Sequence, residues 1–436
     1  MIRLKSCWVL WLAVGVCAAS YEARAAGVIS QTTVARYGLT RAWYAQVGSE
    51  RATGPISHLH LDRGMLLVQT DQGTLSGLNA ETGRILWSVQ VGPRNHSSTE
   101  PALNDRYIAV ISGSVLYVLD RNSGQLLWQR QIFGSPGAGP ALTETHVFTP
   151  MISGLVEAYD IEKGSKQKPW NYKSVGRILI PPIATAQAVC WTTEKGYLYV
   201  ADPKAEGIRY RLETRNAIQA QPAYWTPNLY ACSTDGCVYS VNEKSGKINW
   251  KFPVGDAIYQ PPVAIEGRIY VVSELGNMFC LDEKAGAPLW QTPRIAQFVS
   301  TSPTRVYATD QTGRLLILDG KSGVRLATMP LDGISTKLIN RQSDRVYLAN
   351  TAGVVQCFRE ENLKSPVVYM PPKPVVAEVK EAPKGEKKAK PAAESADDAS
   401  MEEPTAEDAT DADKPEAMEN EKPDAPADDT ETDPFK

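Results

Sequence analysis

The feature that most limits what this chain can fold into is a unit that returns about every 40 residues. LSGLNAETGRILW ends at Trp87, LYVLDRNSGQLLW at Trp128, VYSVNEKSGKINW at Trp250 and MFCLDEKAGAPLW at Trp290. Looser copies end at Trp170 (VEAYDIEKGSKQKPW), Tyr210 (LYVADPKAEGIRY) and Ala327 (LLILDGKSGVRLA), and VVQCFREENLK keeps the strand without the turn. Self-similarity at this period marks a repeat architecture.

Each copy has physical content. Asp120, or Asn79, Asp160, Asn242, Asp282 or Asp319 in its place, is a side chain that accepts hydrogen bonds from backbone N–H groups of a turn, and the glycine that follows supplies the positive φ of a bulged hairpin. The strand before the turn is apolar on both faces at Leu116, Tyr117, Val118 and Leu119, so sheets must cover it on both sides. Another strand lies upstream (RYIAVISG, RIYVVSELG, RVYLANTAG), led by a proline-containing stretch such as EPALND or QPPVAIEG. With the Trp strand, each repeat holds four short antiparallel strands, which is a propeller blade.

The two ends predict how the ring closes. LTRAWYAQV, residues 39–47, is a Trp strand (Trp43) without its three predecessors, and residues 333–360 are three strands without a Trp. Together they make one blade, remove the open edges and bring the count to eight. The competing outer strand, SPVVYM at 365–370, is a poor ladder member because of Pro366 and the pair Pro371-Pro372. The expected fold is therefore all-β, an eight-bladed propeller over residues 27–370, with Trp43, Trp87, Trp128, Trp170, Trp250 and Trp290 docking blade to blade. Radial stacking accommodates a body too long for one core, which usually stops at about 250–300 residues.

The pattern Leu-Asp-x-x-Ser/Thr-Gly-x-x-x-Trp resembles the tryptophan-docking repeat of the pyrroloquinoline-quinone (PQQ)-like β-propellers, over residues 39–360. That resemblance implies the fold and leaves the activity open, because function is grafted onto such folds. One branch of the family, the quinoprotein dehydrogenases, carries PQQ with calcium on the propeller axis. The other is the exported BamB-type scaffold of outer-membrane β-barrel assembly. The chain has no adjacent Cys-Cys pair, no Cys-x-x-Cys-His and no long insertions to build a catalytic pocket, so a non-catalytic scaffold with no cofactor is the expectation. A PQQ and calcium dehydrogenase, with Glu100 or Asp256 as oxygen donors, and a propeller sensing a small ligand or glycan are the alternatives.

The scaffold branch uses a leucine- and arginine-containing loop that is not present as such. Its nearest positional match is VGRILIPP, residues 175–182, which makes Arg177, Ile178 and Leu179 a candidate basic and apolar contact. The competing reading sends Ile178 and Ile180 into the next inner strand. Arg94, Gln221, Tyr259, Gln260 and Phe298, with Gln219, precede other inner strands and are expected on one rim of the ring. Exposed strand edges offer a second mode, β-augmentation.

His58 and His60 alternate on an innermost strand and point to the axial channel, but two ligands fall short of a structural zinc site. His96 has no oriented base near it in sequence, and the turn glycines serve hairpins rather than phosphates. The mild positive charge of the body is spread out and leaves no nucleic-acid footprint.

Residues 1–26 read as a secretory signal: Arg3 and Lys5, an apolar run from Cys7 to Ala19, then small residues, with cleavage after Ser20 or Ala25 both open. The run is shorter than the roughly 20 residues of a membrane span, so no transmembrane segment remains after its removal. Val16 stands where lipidation of Cys17 wants a small side chain. Five cysteines follow, an odd number; Cys232 and Cys237 flank a four-residue turn where a disulfide is possible, although small buried strand residues is the preferred reading. From residue 391 onward 17 acidic side chains face 3 basic ones, after a lysine-rich patch at 384–390, so residues 371–436 are expected to be a disordered tail. The expectation is a monomer within a complex, in the periplasm or at the outer-membrane periphery of a bacterium, with envelope proteins as partners.

Overall fold

The computed structural model describes residues 27–48 and 53–371. The expected leader and all but the first residue of the expected tail lie outside them. Among the described residues are eight four-stranded antiparallel sheets. Blades 1 to 7 span residues 56–90, 102–131, 141–173, 183–213, 223–253, 263–292 and 297–329, and each is built from four consecutive strands. The fold is an eight-bladed β-propeller.

Blade 8 is assembled from both ends of the described chain. Ile334–Lys337, Val346–Asn350 and Val354–Glu360 are its inner three strands, and Leu39–Gln46 is its outer one. Trp43 lies opposite Cys357 in that pair. The 365–370 stretch makes one isolated bridge, Ser343 to Val368, and otherwise runs as a strap along the 338–345 loop of blade 8 to blade 7.

The strand that sequence reads as apolar on both faces is the third of each blade, and the second is as deeply enclosed: Met65–Thr70 and Val346–Asn350 are buried at every position. Each pair of neighbouring blades encloses apolar side chains. Trp43, Tyr347 and Cys357 pack with Leu59 and Val68 between blades 8 and 1, and Leu67 and Trp87 pack with Ile108 and Leu119 between blades 1 and 2. The core is thus a ring of interfaces, which is why size can grow by repetition. The outer strands alternate more and less exposed residues, as one-sided packing requires.

The turn chemistry repeats with the blades. Oδ1 of Asp120 accepts from the Ser123 amide at 2.8 Å and the Ser123 hydroxyl at 2.7 Å, and the Gly124 amide donates to the Asp120 carbonyl at 2.9 Å. Asn79, Asn242 and Asp319 hold equivalent bonds. Gly124 sits at φ +70, and a Cβ there would lie 2.6 Å from the Trp87 ring. The glycine therefore does two jobs: it turns the chain and leaves a flat seat for the indole of the preceding blade. The Trp87 Nε1 donates to the Arg121 carbonyl at 2.9 Å, and Trp43, Trp128 and Trp250 make the same bond to Ala80, Ile161 and Glu283. Trp290 reaches Gly320 at 3.3 Å, and Tyr210 fills the role in blade 4 through its hydroxyl to Glu243.

Trp170 packs against the apolar cluster between blades 3 and 4 as expected, but without a glycine seat. Its ring stacks on Tyr172 at 6.2 Å, and a Cβ on Gly207 in the next turn would meet nothing within 4 Å. The turn after Asp202 differs, with Ala205 at positive φ and Gly207 at +158, so the seat the other indoles use is not formed.

Hydrogen bonds from the hydroxyl and amide of Ser123 hold the Asp120 carboxyl below its ordinary pKa, and Ser322 does the same to Asp319. A depressed folded-state pKa gives stability that is fully present above the ordinary aspartate value of about 4 and is lost as pH falls through the folded value. Asn keeps the acceptor but not the charge. The Asp120→Asn, Asp319→Asn variant is expected to match the parent near neutrality and to lose stability less steeply below about pH 4 in urea unfolding across pH. An unchanged acid slope would locate the acid sensitivity elsewhere.

Candidate functional site

Successive connections alternate between the two ends of the ring. Links that carry the chain from one outer strand to the next inner strand share an end with the turns between second and third strands, and this end is the loop face. The links at 174–182, 214–222 and 254–262 follow one design: Ile178, Ile218 and Ile258 are buried, and the next residue, Leu179, Gln219 or Tyr259, is exposed. A buried isoleucine pins the link and pushes its successor outward.

This design corrects part of the expected contact set. Ile178 is fully buried among Phe148, Val189 and Trp191, so it anchors the loop and cannot touch a partner. It does so ahead of the inner strand, which begins at Ile183. Phe298 is also buried and stacks on Tyr270 at 5.2 Å. The link before it, residues 293–296, is short, so Phe298 falls inside the strand Gln297–Thr301 rather than on the rim.

The other predicted residues do lie toward the loop face. Arg94 is exposed in the link between blades 1 and 2. Arg177 is exposed and bound to Glu194, with Nε at 2.8 Å and an Nη at 2.6 Å from one carboxylate oxygen, a pairing that raises the guanidinium pKa. The Gln221 Nε2 donates to the Pro181 carbonyl at 3.3 Å, and Gln260 donates to the Ala296 carbonyl, so both tie neighbouring links together. Tyr259 is 45% exposed between the channel mouth and a side cleft.

Around Leu179 the structure adds residues that sequence reasoning passed over. Phe133 is 82% exposed, and Ile152 and Val175 also face outward. They sit on adjoining segments: the Ile152 amide donates to Ser135 at 2.9 Å, Ser174 donates to Gly154 at 2.8 Å, and the Ile178 carbonyl lies against Gly137. Phe133, Ile152, Val175 and Leu179 are therefore exposed apolar residues on neighbouring loop-face segments of blades 2 to 4, the last two flanking Arg177 in its own link. The signal for it in sequence is an apolar residue inside a link, but adjacency needs the ring.

The axial channel is a cavity of about 650 Å³. His58 and His60 line it, and His60 Nδ1 is 3.8 Å from a Glu100 oxygen. Burial pushes the Glu100 carboxyl up, but His60, with His58 and Arg341 behind it, outweighs that and holds it below its ordinary pKa. Among the described residues no three His, Cys, Asp or Glu side chains converge as metal ligands; one Asp256 oxygen accepts from the Leu275 amide at 3.2 Å and the other, Oδ1, is buried without a hydrogen-bond partner. The five described cysteines are free and buried; Cys232 faces Val238 across the hairpin and Cys237 faces Pro253, so the two do not oppose one another. No helix among the described residues is long and apolar enough to cross a membrane.

Comparison with known proteins agrees with this architecture. A family model described as outer membrane protein assembly factor BamB matches residues 112–211 and 209–358. The outer membrane protein assembly factor BamB of Xanthomonas campestris pv. campestris is 27% identical over 185 residues, 40% of this chain and 45% of that protein. Tetrathionate hydrolase of Acidithiobacillus ferrooxidans is 26% identical over 153 residues, 31% of this chain and 30% of the hydrolase. The chain thus spans less than half the length of these curated relatives. The crystal structure of BamB from Moraxella catarrhalis shares the fold at TM-score 0.61 and 17% identity, over 74% of this chain and 98% of that one. The computationally designed Ika8 protein does so at 0.55 and 15%, over 70% and 96%. With its repeat matched over more than half its length, the chain belongs to the PQQ-like β-propeller family that is described as outer membrane protein assembly factor BamB.

Proposed function

We propose that this chain is an exported, non-catalytic scaffold of the bacterial envelope that serves outer-membrane β-barrel protein assembly by holding a protein partner on its loop face. The observation that carries the reading is the patch of Phe133, Ile152, Val175 and Leu179 on neighbouring loop-face segments, the last two flanking Arg177 in its pair with Glu194. Apolar anchors beside an arginine are what the centre of a protein interface is made of. A rigid ring holds them at fixed spacing, so a partner meets a preorganised surface and little ordering entropy is lost. The family supports the same direction, because its model and one matched relative are named as an assembly factor.

The test is in-cell cross-linking and affinity capture with the full chain and two variants. Phe133→Glu with Leu179→Glu places two carboxylates in the patch without touching the buried Ile178 anchor. Leu275→Glu alters an equally exposed apolar residue on blade 6. Capture of a barrel-assembly component is expected to fall at least about tenfold in the double variant, a loss near 1.4 kcal/mol, and to persist in Leu275→Glu. Capture that is equal in all three removes the patch from the interface, and absence of any barrel-assembly component removes the assembly role.

A further inference from the structure

Arg341 is the most unusual charged group in the ring. It lies in the loop 338–345 that joins the first two strands of blade 8, at the end opposite the loop face, and lines the channel. No hydrogen bond or ion pair holds its guanidinium among the described residues, and the one opposite charge that acts on it, Glu100, lies 3.8 Å from His60 Nδ1. It is partly exposed and lines the channel, so its open surface faces the cavity. A guanidinium without a protein acceptor that faces a cavity is free to take one from a ligand, and its fork matches a carboxylate.

The channel is two-sided. Lys337 and Arg341 on blade 8 stand beside His58 and His60 on blade 1. Across the ring, blades 4 to 6 contribute Pro181, Pro182, Pro222, Pro261, Tyr224 and Tyr259. Beside Arg341 the strap joins blades 8 and 7: the Tyr369 amide donates to the Gln342 carbonyl at 2.7 Å, its hydroxyl donates to the Thr301 carbonyl at 3.2 Å, and Tyr369 and Pro371 line the channel. The volume falls within the roughly 300–1,000 Å³ of small-molecule sites.

We infer that the axial channel is a binding site for a small organic carboxylate, with the anionic end against Arg341 and the apolar body against the proline and tyrosine wall. The ligand enters from the loop face, between Gln219, Gln221 and Tyr259. The site is separate from the apolar patch on blades 2 to 4, and its occupancy does not depend on the assembly role.

Calorimetric titration of the full chain with sodium benzoate tests it, with benzamide and inorganic phosphate as parallel titrants and Arg341→Gln as the variant. Benzoate is expected to bind with a Kd on the order of 10 mM, the affinity that about −0.3 kcal/mol per heavy atom allows. Benzamide, which lacks the charge, and the variant are each expected to bind at least about tenfold more weakly. Because Arg341 holds no partner, Arg341→Gln is expected to unfold at or above the parent temperature. Absent benzoate binding, or equal binding to the variant, overturns the site. Phosphate binding as tightly as benzoate overturns the apolar half, and a variant that fails to fold shows that Arg341 is structural and overturns the assignment.

Discussion

Replacing Arg345 with methionine lowers the unfolding free energy by about 3–5 kcal/mol, the range for removing one partner of a buried ion pair. Arg345 and Asp344 are both almost fully enclosed, with an Nη of the arginine 3.0 Å from the carboxylate. The same guanidinium donates to the Leu363 carbonyl at 3.2 Å and the Lys364 carbonyl at 3.0 Å, and reaches Glu81 of the first blade at 3.3 Å. One side chain thus ties the last blade to the first and fastens the strap. Burial raises the Asp344 carboxyl pKa, and Arg345 opposes that shift, so the variant leaves a buried carboxylate without its counter-charge. Urea unfolding at neutral pH measures the loss. Adding Asp344→Leu should recover part of it, since replacing both partners avoids an orphaned charge. A single-variant loss below about 1 kcal/mol would mean that water replaces the guanidinium and that closure rests on the strands alone.

Trp87→Ala costs about 3–5 kcal/mol, as large-to-small changes at buried aromatics do. The indole is 9% exposed, lies on Gly124 of the next blade and donates to the Arg121 carbonyl, so alanine leaves a cavity and an unpaired acceptor together. Trp170→Ala is the informative contrast. That ring is half-buried, stacks on Tyr172 within its own strand and has no glycine seat, so its loss is expected to be less than half as large. Side-by-side denaturation of the two variants decides the point. Equal losses would show that general burial, and not the inter-blade seat, carries the energy.

The positions of the rim residues could be counted from the repeat, because each inner strand is preceded by a link of similar length. Arg94, Gln221, Tyr259 and Gln260 follow that count, and Phe298 fails it because residues 293–296 shorten the link. The buried isoleucine at 178, 218 and 258 was visible as a recurrence, but one residue out of step with its neighbour is enough to exchange anchor for contact. Side-chain direction in a link depends on which residue is pinned, and pinning depends on the facing blade.

The sequence alone determined the repeat, the four strands of each blade, the turn in which an aspartate or asparagine and a glycine cooperate, and a ring of eight. Those are local chemistry and period, and both are written in consecutive residues. Tertiary structure decided what needs two blades at once: the indole seats on glycines about 40 residues away, the missing seat at Trp170, and the patch drawn from three separate segments. It also decided that Arg341 and Glu100, 241 positions apart, share one channel. The physical reason is ring closure, which brings the two ends of the chain together and converts residues without sequence proximity into one surface.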